Sequence, residues 1–150
     1  MIFTKEQIED LKAKHGDIFL IETQGKSCII RKPNRRDLSY VSVEKDPIKM
    51  QTALLNQLWV EGDEEIKTND DYFFAACNTL DEVLKVKGAE IKKTLEEAEI
   101  DDAGASDVLY LNTLLRYYMH IDPDTLTDAE WAWTIRYLID IRKEEAKANG

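Results

Sequence analysis

Two short runs rich in Ile and aromatic residues, DIFLIET (Asp17–Thr23) and SCIIRK (Ser27–Lys32), face each other across QGK. That pattern is a β-hairpin, with Gly25 in the tight turn and Pro33, which cannot donate to a ladder, ending the second strand. Elsewhere the apolar residues recur at helical spacing. A single hairpin in a helical chain constrains the fold to α+β, mainly α. The expected architecture is an N-terminal helix and the hairpin, followed by a helical bundle and then a small C-terminal helical module.

The helix starts are written in capping chemistry. Thr4-Lys5-Glu6-Gln7 fits a capping box, Ile8 and Leu11 give a short apolar face, and Gly16 ends the helix. Asn34 caps a helix from Arg35 to about Glu44. Asp46-Pro47 starts another that carries Ile48, Leu55, Leu58 and Trp59 and stops at Gly62. The acids Glu61, Asp63, Glu64 and Glu65 then read as loop punctuation, and Thr68 as the next cap. Phe73, Ala76, Cys77, Leu80 and Leu84 form one buried face, and a further helix spans Ala89 to Ala98.

Charge divides the chain. Residues 1–95 hold 15 Lys+Arg and 17 Asp+Glu, and the remainder 5 and 13, so most of the net charge of −10 is C-terminal. EEAEIDDAGASD (Glu96–Asp107) has six acids and no base. The expected organisation is a module over 1–95, an acidic linker over 96–106 and a helical hairpin over 107–150. Ser106 caps a helix through about Met119, with Asn112, Thr113 and Arg116 on its wet side. Thr127-Asp128-Ala129-Glu130 is a second capping box. The helix after it has two apolar stripes on roughly opposite sides: Trp131, Ile135, Leu138 and Ile139, then Trp133, Tyr137 and Ile141.

No catalytic constellation emerges. His15 and His120 are isolated, and Cys28 and Cys77 lack the spacing of a zinc site. Asp122, Asp124, Asp128 and Glu130 lack the glycine of a calcium loop. There is no nucleophile motif and no phosphate loop, and Cys77 lies on a core face. Neither a catalytic residue, a metal nor a cofactor is expected. Nor are a membrane span, a secretory signal or nucleic-acid binding, since an acidic surface repels phosphates. The two cysteines fit reduced thiols in a cytoplasm.

Two features suit a protein partner. Lys26, Arg31, Lys32, Arg35 and Arg36 form the one basic cluster, readable as a contact for an acidic partner or for the chain's own acidic tail in a head-to-tail oligomer, or as an exposed strand edge. The Trp133, Tyr137 and Ile141 stripe is readable as core or as an interface anchor. The candidate partner-binding residues are therefore Trp133, Tyr137, Ile141, Arg31, Lys32, Arg35 and Arg36.

Residues 4 to about 95 resemble the small tail assembly chaperones of long-tailed bacteriophages. Arg31-Lys32-Pro33, Asp46-Pro47 and Trp59-Val60-Glu61-Gly62-Asp63-Glu64-Glu65-Ile66 carry the resemblance. The segment YLNTLLRYYMHIDPDTLTDAEWAWTIRYLIDIRKEEA is similar to pieces found beside or fused to such proteins. The resemblance implies a non-enzymatic, self-associating protein in the cytoplasm of an infected host. It would coat the tape-measure protein, keep it soluble and help recruit tail-tube protein, as a frameshift-extended form or a fused gene. The alternative that the acidity supports is a DNA-mimicking inhibitor of a host nucleic-acid-binding protein.

Overall fold

The computed structural model describes residues 1–101 and 107–149. The fold is α+β and mainly α, and an N-terminal helix precedes a hairpin. Helix α1 (Lys5–His15) begins on the expected box, in which the Gln7 N–H donates to Thr4 Oγ1 at 3.2 Å and the Thr4 N–H to Gln7 Oε1 at 2.8 Å. It ends at Gly16, whose φ of 75° is open to glycine without strain. None of its residues is buried.

Strands β1 (Ile18–Thr23) and β2 (Lys26–Arg31) pair antiparallel, and the Thr23–Lys26 pair closes the hairpin. The turn is Gln24-Gly25 alone, with φ of 47° and 82°. Two positive φ values match the right-handed twist of the flanking strands.

A third strand, β3 (Trp59–Gly62), adds to the other side of β2. This corrects the expectation that Gly62 ends a helix. Helix α3 (Pro47–Leu58) stops at Leu58, and the chain turns straight into the sheet. Gly62 sits opposite Cys28. A Cβ on Gly62 would lie 2.3 Å from Cys28 Cβ and 2.7 Å from the Ser27 carbonyl oxygen. The glycine is required by the approach of two backbones, a role that helix periodicity does not reveal.

Helix α2 (Arg35–Val41) starts on an Asn34 box with Asp37, and α3 on Asp46 with Pro47 in its first turn. A short α4 (Glu65–Thr68) follows β3. Thr68 ends α4 and does not cap its successor; Asn69 does, accepting the Asp71 N–H at 3.0 Å. The acidic knot is more than a loop, because Asp63 accepts the Ser27 N–H at 2.9 Å and the terminal amine of Met1.

Helix α5 (Asp70–Glu97) is one helix where two were expected. Its 28 residues run about 42 Å. Gly88 weakens a helix interior by about 1 kcal/mol, which one continuous buried stripe from Phe73 to Leu95 outweighs. The N-terminal half of that stripe packs with Ile21, Ile30, Leu54 and Leu58 of the hairpin and α3. The C-terminal half, Ile91 and Leu95, packs with Leu38, Val108, Leu115, Trp131 and Ile135. The two cores therefore share a spine.

The acidic stretch begins inside α5, and beyond it Ala98 and Ile100 are buried in the second core. Its centre and the Ser106 cap lie outside the described residues. Helix α6 (Val108–Leu114) continues as a π-helical turn, Leu115–Met119, that ends at His120 in the left-handed conformation. Asn112, expected on the wet side, is 1% exposed. It accepts the Trp131 Nε1–H at 2.7 Å and donates to Ser39 Oγ at 3.1 Å. A 3₁₀ turn (Pro123–Thr125) leads to α7 (Asp128–Asn149), which starts on the expected Thr127–Glu130 box.

Arg35 of α2 clamps this C-terminal part. It is 5% exposed. It donates to the carbonyls of Pro123 and Leu126 and to Asp128, all at 2.7 Å, and its guanidinium carbon lies 5.0 Å from the Trp131 ring centroid. Lys87 of α5 donates to the other Asp128 oxygen at 2.9 Å.

Two outcomes follow for stability in urea. Gly62→Ala is expected to cost about 1–3 kcal/mol, because the new methyl meets backbone and Cys28. A loss under about 0.5 kcal/mol would mean that β3 can move away freely. Arg35→Met is expected to cost about 3–5 kcal/mol, since it strands the Leu126 carbonyl and half of the Asp128 charge and removes one of two donors to the Pro123 carbonyl. A near-neutral result would contradict the clamp.

Candidate interaction surface

The basic cluster is largely turned inward. Strand β2 is the central strand of the sheet, so the reading of an exposed edge does not hold. Arg31 forks onto buried Asp37, with Nη1 at 2.7 Å and Nη2 at 3.0 Å. That hydrogen-bonded pair holds the Arg31 guanidinium above its ordinary pKa. Lys32 reaches Glu90 of α5 at 2.6 Å, and Lys26 lies 3.4 Å from Glu65. Arg35 is the clamp already described; burial lowers its pKa while Asp128 works against the shift. Of the four candidate bases, Arg36 alone is exposed and without an ion pair among the described residues. A run of bases does not reveal these pairings, because the partners lie six to ninety-three positions away.

The aromatic stripe is turned outward. On α7, Trp131, Ile135 and Leu138 are buried in the second core, with Ile139 partly buried beside them. Trp133 is 55% and Tyr137 60% exposed, and Ile141 is half-buried. Trp133 and Tyr137 border a groove of about 480 Å³. Its other walls are Met119, Ile121 and Leu126, from the π-helical turn and the loop after it, together with Glu130 and Thr134. Among the described residues, Glu130 is the one charged residue lining it. Hydrogen bonds from Thr127, the backbone N–H first, hold its carboxyl below the ordinary carboxylate range.

Next to the groove's Met119 wall, the π-helical turn presents Tyr117 and Tyr118 outward, the first 72% exposed. Val108, Leu111 and Leu115 of the same segment are buried. Tyr117 and Tyr118 meet edge to face at 4.8 Å, and Arg142 of α7 lies 4.7 Å from the centre of the Tyr118 ring. The stripe itself was legible from spacing. The groove was not, because its far wall depends on the π-helical turn and on the left-handed His120.

Chemically reactive groups are muted. Burial pushes the Cys28 thiol up to about 12 and Cys77 to about 11, far from the thiolate a nucleophile needs. Asp63 is held below the carboxylate range by hydrogen bonds from the terminal amine and Ser27, the opposite of the shift a general acid requires. Among the described residues no group of His, Cys, Asp and Glu is placed to hold a metal ion, and no helix is long and apolar enough to cross a membrane.

Comparison with protein-family models, with curated proteins and with solved structures gave no match. If Trp133 and Tyr137 serve binding and not folding, the double change Trp133→Ser and Tyr137→Ser shifts the unfolding free energy by no more than about 0.5 kcal/mol. A loss of 2 kcal/mol or more, on the order of a buried side chain, would make the stripe part of the core.

Proposed function

We propose that this protein is a non-enzymatic tail assembly chaperone of a long-tailed bacteriophage. In this reading it binds the helical tape-measure protein through the Trp133 and Tyr137 face of α7, keeps it soluble and assists assembly of the tail tube. The observation that carries the reading is a helix with two apolar stripes, one locked in the core by Trp131 and the other open beside an apolar groove. Large aromatic side chains at a surface are costly to leave in water and are typical anchors of protein interfaces. An open apolar depression beside exposed aromatic side chains suits a helix laid against it. The net charge of −10 would keep a coated, otherwise insoluble client dispersed.

The resemblance of residues 4 to about 95 to tail assembly chaperones supports the same reading. The specific pieces of that resemblance fall at structurally demanding points. Arg31 reaches the Asp37 knot, Pro33 is buried, and Gly62 meets Cys28. Acids in the C-terminal part are interleaved with bases, as in Arg136 with Asp140 and Lys147 with Glu144. A DNA mimic is better served by unbroken arrays of acid, which favours the chaperone over the inhibitor.

Co-expression with the tape-measure protein of the same genome tests the proposal. Affinity purification and mass measurement are expected to give a soluble complex with many copies of this chain per client. The Trp133→Ser and Tyr137→Ser double change is expected to cut the recovered complex by about tenfold, the loss of one hot-spot contact. A chain that elutes without client, beside an aggregated client, would sink the reading.

A further inference from the structure

The open face of α7 carries a sign as well as an apolar surface. Residues at i, i+3, i+4 and i+7 share one side of a helix. Counted from Glu130, that side holds Trp133, Thr134, Tyr137, Asp140, Ile141 and Glu144. Three of the seven are acids and none is a base. Of the helix's own bases, Arg142 and Lys143 fall on other sides, while Arg136 and Lys147 border this one beside Asp140 and Glu144. Glu130, inside the groove, has no ion pair among the described residues. Among the described residues, Asp140 pairs with Arg136 at 3.3 Å and Glu144 with Lys147 at 3.6 Å, exposed contacts that a partner's cation can replace at little cost.

We infer that this face takes an amphipathic helix whose apolar stripe is flanked by lysine or arginine. The inference rests on the chaperone reading and deepens it by fixing the chemistry of the client segment. Apolar side chains of such a helix fill the floor formed by Met119, Leu126, Trp133 and Tyr137. Its basic side chains lay their methylenes over the Trp133 and Tyr137 rings, where a cation is attracted to the π face, and reach Glu130 and Asp140 with their charged ends. The net charge of −8 over residues 96–150 steers a basic segment toward this end of the molecule and away from the near-neutral remainder. An acidic or uncharged apolar helix finds the same floor but no counter-charge at the rim.

The full chain is titrated with two fluorescent synthetic peptides that share one leucine stripe. One carries lysines along the flanks and the other carries glutamates. The lysine peptide is expected to bind at least about tenfold more tightly, with an affinity that falls as salt rises. Trp133→Ala is expected to abolish its binding. Glu130→Lys and Asp140→Lys are each expected to weaken it by about tenfold, while Glu9→Lys, the same charge change on exposed α1, alters it less than about twofold. Circular dichroism confirms that each variant is folded.

Equal affinity for the two peptides overturns the inference, and so does a Glu9→Lys effect as large as that of Glu130→Lys, which would reduce the preference to net charge. Self-association of the chain through Trp133 that excludes the lysine peptide overturns it as well, in favour of a second copy as the occupant. Capture of the tape-measure protein without any lysine preference defeats this inference and leaves the chaperone standing. A lysine preference without capture of that client does the reverse.

Discussion

A buried arginine sets the arrangement of the C-terminal half. Taking the Arg35 guanidinium out of water is expensive, and the structure offsets that cost with Asp128, two loop carbonyls and the Trp131 ring. Every one of those partners belongs to the start of α7 or to the turn before it. Lys87 adds a second hold on Asp128 from the α5 spine. Once the first turn of α7 is tied down in this way, the rotation of the helix is fixed. Trp131 must face inward, where Asn112 accepts its N–H. Trp133, two residues on, must then face out. The open aromatic face is thus a consequence of the clamp.

Local chemistry was legible in the sequence and remote chemistry was not. Thr4, Asn34, Asp46 and Thr127 each cap a helix as read, because a cap involves residues only a few positions apart. The hairpin was legible for the same reason. The failures share a different cause. Gly62 looked like a helix stop because its real constraint, the Cys28 Cβ, sits thirty-four positions away. Helix α5 was read as two helices because the packing that joins them comes from both cores. Asn112 looked solvated because its Trp131 and Ser39 partners are invisible to a helical wheel.

The candidate site divides along the same line. The spacing of Trp133, Tyr137 and Ile141 marked a second apolar face, and the structure leaves that face open. The basic cluster was conspicuous by composition, yet Arg31, Lys32 and Arg35 are taken up by Asp37, Glu90 and Asp128. A run of like charge in sequence says little about its surface until its counter-ions are located. Here they come from α2, α5 and α7, so the bases bind the fold together where an outside partner had been considered.

Hydrogen exchange of the chain, alone and with the tape-measure protein present, bears most directly on the claim that the α7 face is the working surface. The account predicts slowed exchange confined to residues 119–126 and 133–141, which wall the groove, with the hairpin unchanged. Unaltered exchange in those segments, or protection centred on β1 or α1, would contradict it.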